Sequence, residues 1–305
     1  RGGSSGGMPR LVGHIRLPSR ADGEYDHADV HIQSGKIYIA NTAEGSVEVV
    51  DGESMVYATT VGGCREASGV LCAQDEGTVF VAARGAGKIL AIDVAHDKAI
   101  KEIPAGSTPN GLAWDSRRKH LLVADVKDNH TRLIDPASGT VLSSAVLKGR
   151  PRWCLYDKEL NVFLVNVRDP AGVSIISPET MKEERFVRVS AAGPHGLGTV
   201  DGSGRVYVAC DDRNMVVLDL NQEREVARIT LSGPPDVVWM NLQKGRLYCA
   251  TGEPGVIDVI DTSKLVHVGK IPTEEGAHTL TFDEKRQRLY SLLPKSNNVG
   301  VYSED

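Results

Sequence analysis

Arg205-Val-Tyr-Val-Ala-Cys210 is one copy of a hexapeptide that decides the fold. The pattern returns at Lys36-Ile-Tyr-Ile-Ala-Asn41, Thr78-Val-Phe-Val-Ala-Ala83, His120-Leu-Leu-Val-Ala-Asp125, Asn161-Val-Phe-Leu-Val-Asn166, Arg246-Leu-Tyr-Cys-Ala-Thr251 and Arg288-Leu-Tyr-Ser-Leu-Leu293. These are seven copies at intervals of 41 to 44 residues. β-Branched and aromatic residues dominate each copy, and such side chains suit a pleated surface, so each reads as a strand. A second strand follows each copy after a short loop. Most of these end in Asp, as in Val47-Glu-Val-Val-Asp51, Ile89-Leu-Ala-Ile-Asp93 and Ile257-Asp-Val-Ile-Asp261. The fourth ends in Ser177 instead, and the seventh closes on Val299-Gly-Val-Tyr302. An Asp or Ser there accepts backbone N–H bonds from the residues ahead and starts a turn. A further strand then runs outward, as at Ala99–Ile103, Val226–Ile229 and Val266–Ile271.

Period, strand count and turn chemistry together predict an all-β, seven-bladed β-propeller with four-stranded blades. The seventh copy runs into the last residue, Asp305, with no outer strand of its own. Leu11-Val-Gly-His-Ile-Arg-Leu-Pro18 is similar to the outer-strand segment Val266-His-Val-Gly-Lys-Ile-Pro272. It is expected to complete blade 7 and close the ring, removing an open sheet edge. Arg1–Gly7 reads as an appended linker and Met8 as the first native residue, so residues 8–305 form one domain. The repeats resemble those of the YVTN-type seven-bladed propellers from Leu11 to the end of the chain. That resemblance implies the fold and leaves the chemistry open.

Composition narrows the partners. With 41% hydrophobic and 25% charged residues, the 305-residue chain has the make-up of a soluble domain with a substantial core. A net charge of −5 argues against a nucleic-acid partner. No apolar run approaches the roughly 20 residues that cross a bilayer. The five cysteines are scattered without a C-x-x-C pair, which fits free thiols in a reducing, cytoplasmic compartment. The expected partner is a small molecule, and the expected state a monomer.

Superimposing the repeats places one polar column just before the innermost strands. It reads His27, Glu66, Asn110, Arg152, His195, Asp236 and His278. Innermost strands run along the central channel, so these positions converge on one mouth of it. The plain alternative is a ring of turn residues that binds channel water. Three of the nine histidines fall in this one column, which favours a ligand site, since convergent polar groups in a concavity mark sites. His27, His195 and His278 are therefore expected to hold a divalent metal (Zn²⁺, Fe²⁺, Mn²⁺ or Ni²⁺) with coordination positions left open. Glu66 and Asp236 are the candidate acid–base groups, or second-rank partners of the metal. Arg152 suits an anionic substrate group and Asn110 adds a donor and an acceptor. Arg84 and Arg168, on loops opening toward the same face, are further substrate-binding candidates, and Trp153 is a candidate wall. Asn41, Asp125, Lys127, Asp211 and Glu253 occupy equivalent loops and read as solvated. Cys154 has no neighbouring base and reads as a buried thiol, and His31 as structural.

Three functions fit this column. The first is a metal-dependent hydrolase or lyase acting on a small, carboxylated or lactone-like molecule, with an architecture similar to propeller lactonases and virginiamycin B lyase-like propellers. The second is a ligand-binding or sensing propeller without turnover. The third is an interaction scaffold, disfavoured by an aromatic content of only 5%.

Overall fold

The computed structural model describes residues 7–18 and 23–305. Seven four-stranded antiparallel sheets make up the chain, with a single 3₁₀ turn at Arg84–Ala86 among the described residues. The innermost strands are Tyr25–His31, Ala67–Ala73, Pro109–Asp115, Pro151–Asp157, Pro194–Thr199, Val238–Asn241 and Leu280–Asp283. Each packs beside the inner strand of the next blade, and Tyr25–His31 packs against Leu280–Asp283 to close the circle. None of the described helical turns is long and apolar enough to cross a membrane.

Burial follows position in the blade. The repeated hexapeptides form the second strand of each sheet and are almost wholly buried, with Tyr38, Tyr207, Tyr248 and Tyr290 among the largest sequestered side chains. Outer strands are largely exposed and bury one residue near their end, such as Ile103, Ile229 and Ile271, against the neighbouring blade. Apolar clusters lie between adjacent blades, so the core is a ring of interblade seams rather than one central mass. The closing Asp residues do what turn chemistry requires: Asp51 accepts from the backbone N–H of Glu53 at 2.9 Å and Ser54 at 3.1 Å. Asp219 and Asp261 repeat the arrangement.

Arg10–Arg16 (β1) pairs antiparallel with Asn298–Ser303 as the outer strand of blade 7. Ile15 and Leu17 bury completely or nearly so at this closure. One repeat differs from its sequence reading. In blade 4 the second strand is Val162–Val167, one residue later than the hexapeptide alignment. Asn161 adopts a left-handed backbone (φ 56°), as do Gly35, Gly77, Lys119, Gly204, Gly245 and Gln287 at the same step of the other blades. That residue ends the hairpin turn, so the strand begins after it.

Candidate functional site at the channel mouth

Strand pairing defines the ring without reference to residue type. The fourth residue of each second strand (Ile39, Val81, Val123, Val165, Val208, Cys249 and Ser291) pairs with an inner-strand residue. Two positions before that partner stand Asp26, Ser68, Asn110, Arg152, His195, Asp236 and His278. In blades 1 to 5 the ladder slips at this point, so the residue stands outside the regular strand pairing. Five expected members are therefore in the ring and two are not. In blade 1 the ring residue is Asp26, with His27 one step deeper. In blade 2 it is Ser68, a buried hydroxyl that donates to the carbonyls of Ala82 (3.1 Å) and Pro109 (3.3 Å). Glu66, expected as an acid–base group, instead sits exposed in the preceding turn at φ 51°. Nothing in blades 1 and 2 replaces the Pro that stands before Asn110, Arg152, His195 and Asp236, so the eye has no marker there.

Asp236 is the hub of the mouth. Its Oδ1 lies 3.1 Å from His195 Nε2 and its Oδ2 lies 2.8 Å from His278 Nδ1. The other nitrogen of His195, Nδ1, is 3.1 Å from Asp211 Oδ1, and Arg152 Nη1 donates to Asp211 Oδ2 at 2.8 Å. Arg152 Nη2 stands 2.7 and 3.0 Å from the two ring nitrogens of His195, a position over the imidazole face rather than in its plane. Burial disfavours a charged His195, yet the charge of Asp236 and the bonds to Asp211 and Asp236 outweigh it and lift its pKa to about 9. His278 is also raised, burial again being outweighed by its bond to Asp236. Burial would push Asp236 up, but the His195 charge and both imidazole bonds hold it well below the carboxylate range. The mouth thus carries an ionised carboxylate clasped by imidazolium.

Beside this network lies a cavity of about 160 Å³ lined by Asp26, His27, Arg84, Asn110, Arg150, Arg152, Trp153, His195 and Asp236. Trp153 closes it below. It follows Arg152 on the inner strand of blade 4, and its ring lies against His27 of blade 1, with centroids 4.5 Å apart and planes tilted by 42°. Blades 1 and 4 face each other across a seven-bladed ring, and Trp153 also packs on the apolar seams of blades 4–5 and 6–7. The mouth is consequently a cup with an aromatic floor.

The structure sorts the remaining candidates. Asn110 lines the cup, with its Oδ1 buried and without a hydrogen-bond partner among the described residues. Arg84 lines it as well, from the 3₁₀ turn of blade 2. Arg168 is exposed at the rim, its Nε 4.0 Å from Asp211 Oδ2. Asn41 and Asp125 are structural: Asn41 bonds Glu48, and buried Asp125 accepts from Thr108, Lys127 and Asp128. Lys127 and Glu253 are exposed on their loops. Burial pushes the Cys154 thiol up to about 12, so it is a core residue. His31 bonds Ser34 at 2.7 Å, as a structural histidine would. Sequence reading missed Arg150 and Asp26 and undervalued Asp211. For Arg150 a signal existed in Arg150-Pro151-Arg152, two cations flanking the Pro that opens the strand.

The expected three-histidine metal centre does not fit this arrangement. Among the described residues no three His, Cys, Asp or Glu side chains are grouped as a metal ion needs. His195 directs both ring nitrogens at carboxylates, and an imidazolium has no lone pair to give. His278 directs Nδ1 at Asp236, while His27 lies against Trp153 with its Nε2 3.4 Å from Asp26.

No family model matches the chain, and no curated protein does. Among solved structures, hydrazine synthase of Kuenenia stuttgartiensis is similar, with a TM-score of 0.83 over 93% of this chain and 96% of that one. The two are 16% identical, so the likeness shows the seven-bladed architecture alone. This also bears out the architectural half of the YVTN-type resemblance.

Proposed function

We propose that the cup is a binding site for a small carboxylate-bearing molecule. One observation carries this reading. The guanidinium groups of Arg84 and Arg150 both line the cup, and neither makes a hydrogen bond or ion pair with any described residue. Unmatched cations held in a concavity are the complement of an anion, and a guanidinium fork matches a carboxylate in two bonds. The volume suits a compound smaller than the drug-sized ligands that fill pockets of about 300–1,000 Å³. A thermal-denaturation panel of small carboxylates against their neutral amides tests it. Carboxylates should raise the melting temperature and amides should not, and equal shifts for both would refute the reading.

A second reading, turnover of the bound molecule, is favoured by His195 and Asp236. Strongly shifted titratable groups side by side in a cleft are where functional sites concentrate. His195, protonated at neutral pH with both ring nitrogens held by Asp211 and Asp236, would stabilise negative charge developing on the bound molecule rather than hand over a proton. The metal-dependent version of this enzyme is set aside because His195 has both ring nitrogens on carboxylates and no metal-like grouping stands among the described residues.

A further inference from the structure

We propose that the ligand of this cup is a short dicarboxylate, its two ends held by Arg84 and Arg150. The proposal rests on the carboxylate reading above and adds the number and spacing of the charges. The three carboxylates near the cup have cationic or imidazole neighbours of their own. Asp236 is taken by His195 and His278, Asp211 by His195 and Arg152, and Asp26 lies beside His27. Arg84 and Arg150 remain, and their like charges repel. Arg150 is exposed at the edge of the cup, and its partial burial, followed by the charges of Arg152, Arg168 and Arg84, outweighs the attraction of Asp211 and holds its pKa below the ordinary value. Two guanidinium groups without a hydrogen-bond or ion-pair partner among the described residues offer places for two carboxylates.

Placement separates those charges. Arg84 comes from blade 2 and Arg150 from the start of blade 4, with Asn110 of blade 3 between them. Forks on two non-adjacent blades suit two carboxylates joined by a spacer better than one compact anion. The spacer is short because the cavity is only about 160 Å³. Its methylene groups would lie over Trp153, the apolar floor, where burial of CH₂ groups is favourable.

Calorimetric titration of the full chain with acetate, succinate and inorganic phosphate tests this, alongside the series from malonate to adipate. Succinate should bind at least tenfold more tightly than acetate, with one optimum along the series. Arg84→Gln and Arg150→Gln should each bring succinate down to the level of acetate. Neither guanidinium has a partner among the described residues, so both variants should melt with the parent. Equal affinity for acetate and succinate would overturn the dicarboxylate proposal while the carboxylate reading stood. Phosphate binding more tightly than any dicarboxylate would also overturn it, in favour of one compact dianion. Absence of binding by every carboxylate would remove both.

Discussion

At Asp236 two imidazoles share one carboxylate, and the consequence is a pH dependence with a definite sign. Folded His195 keeps its proton until about pH 9, whereas an unfolded histidine releases it near 6.5. Its contribution to stability is fully present below pH 6.5 and is lost as pH rises toward 9. The loss should be on the order of 2 kcal/mol across that window, allowing for partial solvent screening of a half-buried group. His195→Gln should flatten this part of a stability–pH profile measured by denaturant titration, and an unchanged slope would contradict the assignment. Arg152→Ala should weaken binding of a carboxylate about tenfold and also destabilise the mouth, because it leaves Asp211 with His195 alone to offset its charge beside the cup. At this scale the sequence was informative where Pro marked the strand entry, as at Asn110, Arg152 and His195. It misled at His27 and Glu66, where the true ring residue is set by a slip in the strand ladder that residue type does not reveal. Likewise, no spacing rule could show that carboxylates stand between the histidines.

The element that shapes the cup is the inner strand, and its glycines set how closely blades approach. A Cβ on Gly111 would come within 2.7 Å of the Arg152 carbonyl, and one on Gly69 within 1.8 Å of the Asn110 carbonyl. Glycine one step after the ring residue thus lets the next blade bring its own ring residue near. Gly111→Ala should cost about 1–3 kcal/mol through overpacking, and should weaken carboxylate binding by displacing Arg152. Thermal melts and titration on the same variant check both effects; a loss of stability with intact binding would separate blade spacing from the site. Strands were legible because each hexapeptide is buried on both faces and so carries a continuous apolar signal. The one-residue shift in blade 4 was not, since Asn161 can begin a strand or end a turn, and only its left-handed backbone decides.

Closure is a property of the whole molecule. β1 from the N-terminus completes the last blade, and the other end of the chain is fastened separately. Glu304 is buried, paired with Arg246 at 2.8 Å and accepting from the Tyr248 hydroxyl at 2.5 Å. Glu304→Ala should destabilise the propeller by about 3 kcal/mol, the usual cost of removing one side of a buried ion pair. Removal of residues 8–16 should expose the edge of Asn298–Ser303, with lower stability and a tendency to associate, read by melting and light scattering. The closure was readable from the likeness of Leu11–Pro18 to an outer strand, whereas the Glu304 latch was not, because its partners lie on a different blade. The central claim, that the cup is an anion site built on arginine and not a metal site built on histidine, is tested most directly by a crystal structure grown with succinate and with Zn²⁺. Succinate density bridging Arg84 and Arg150 above Trp153, with Asp236 still between His195 and His278, is the predicted result. An anomalous peak within bonding distance of His27, His195 and His278, with Asp236 displaced, would contradict it.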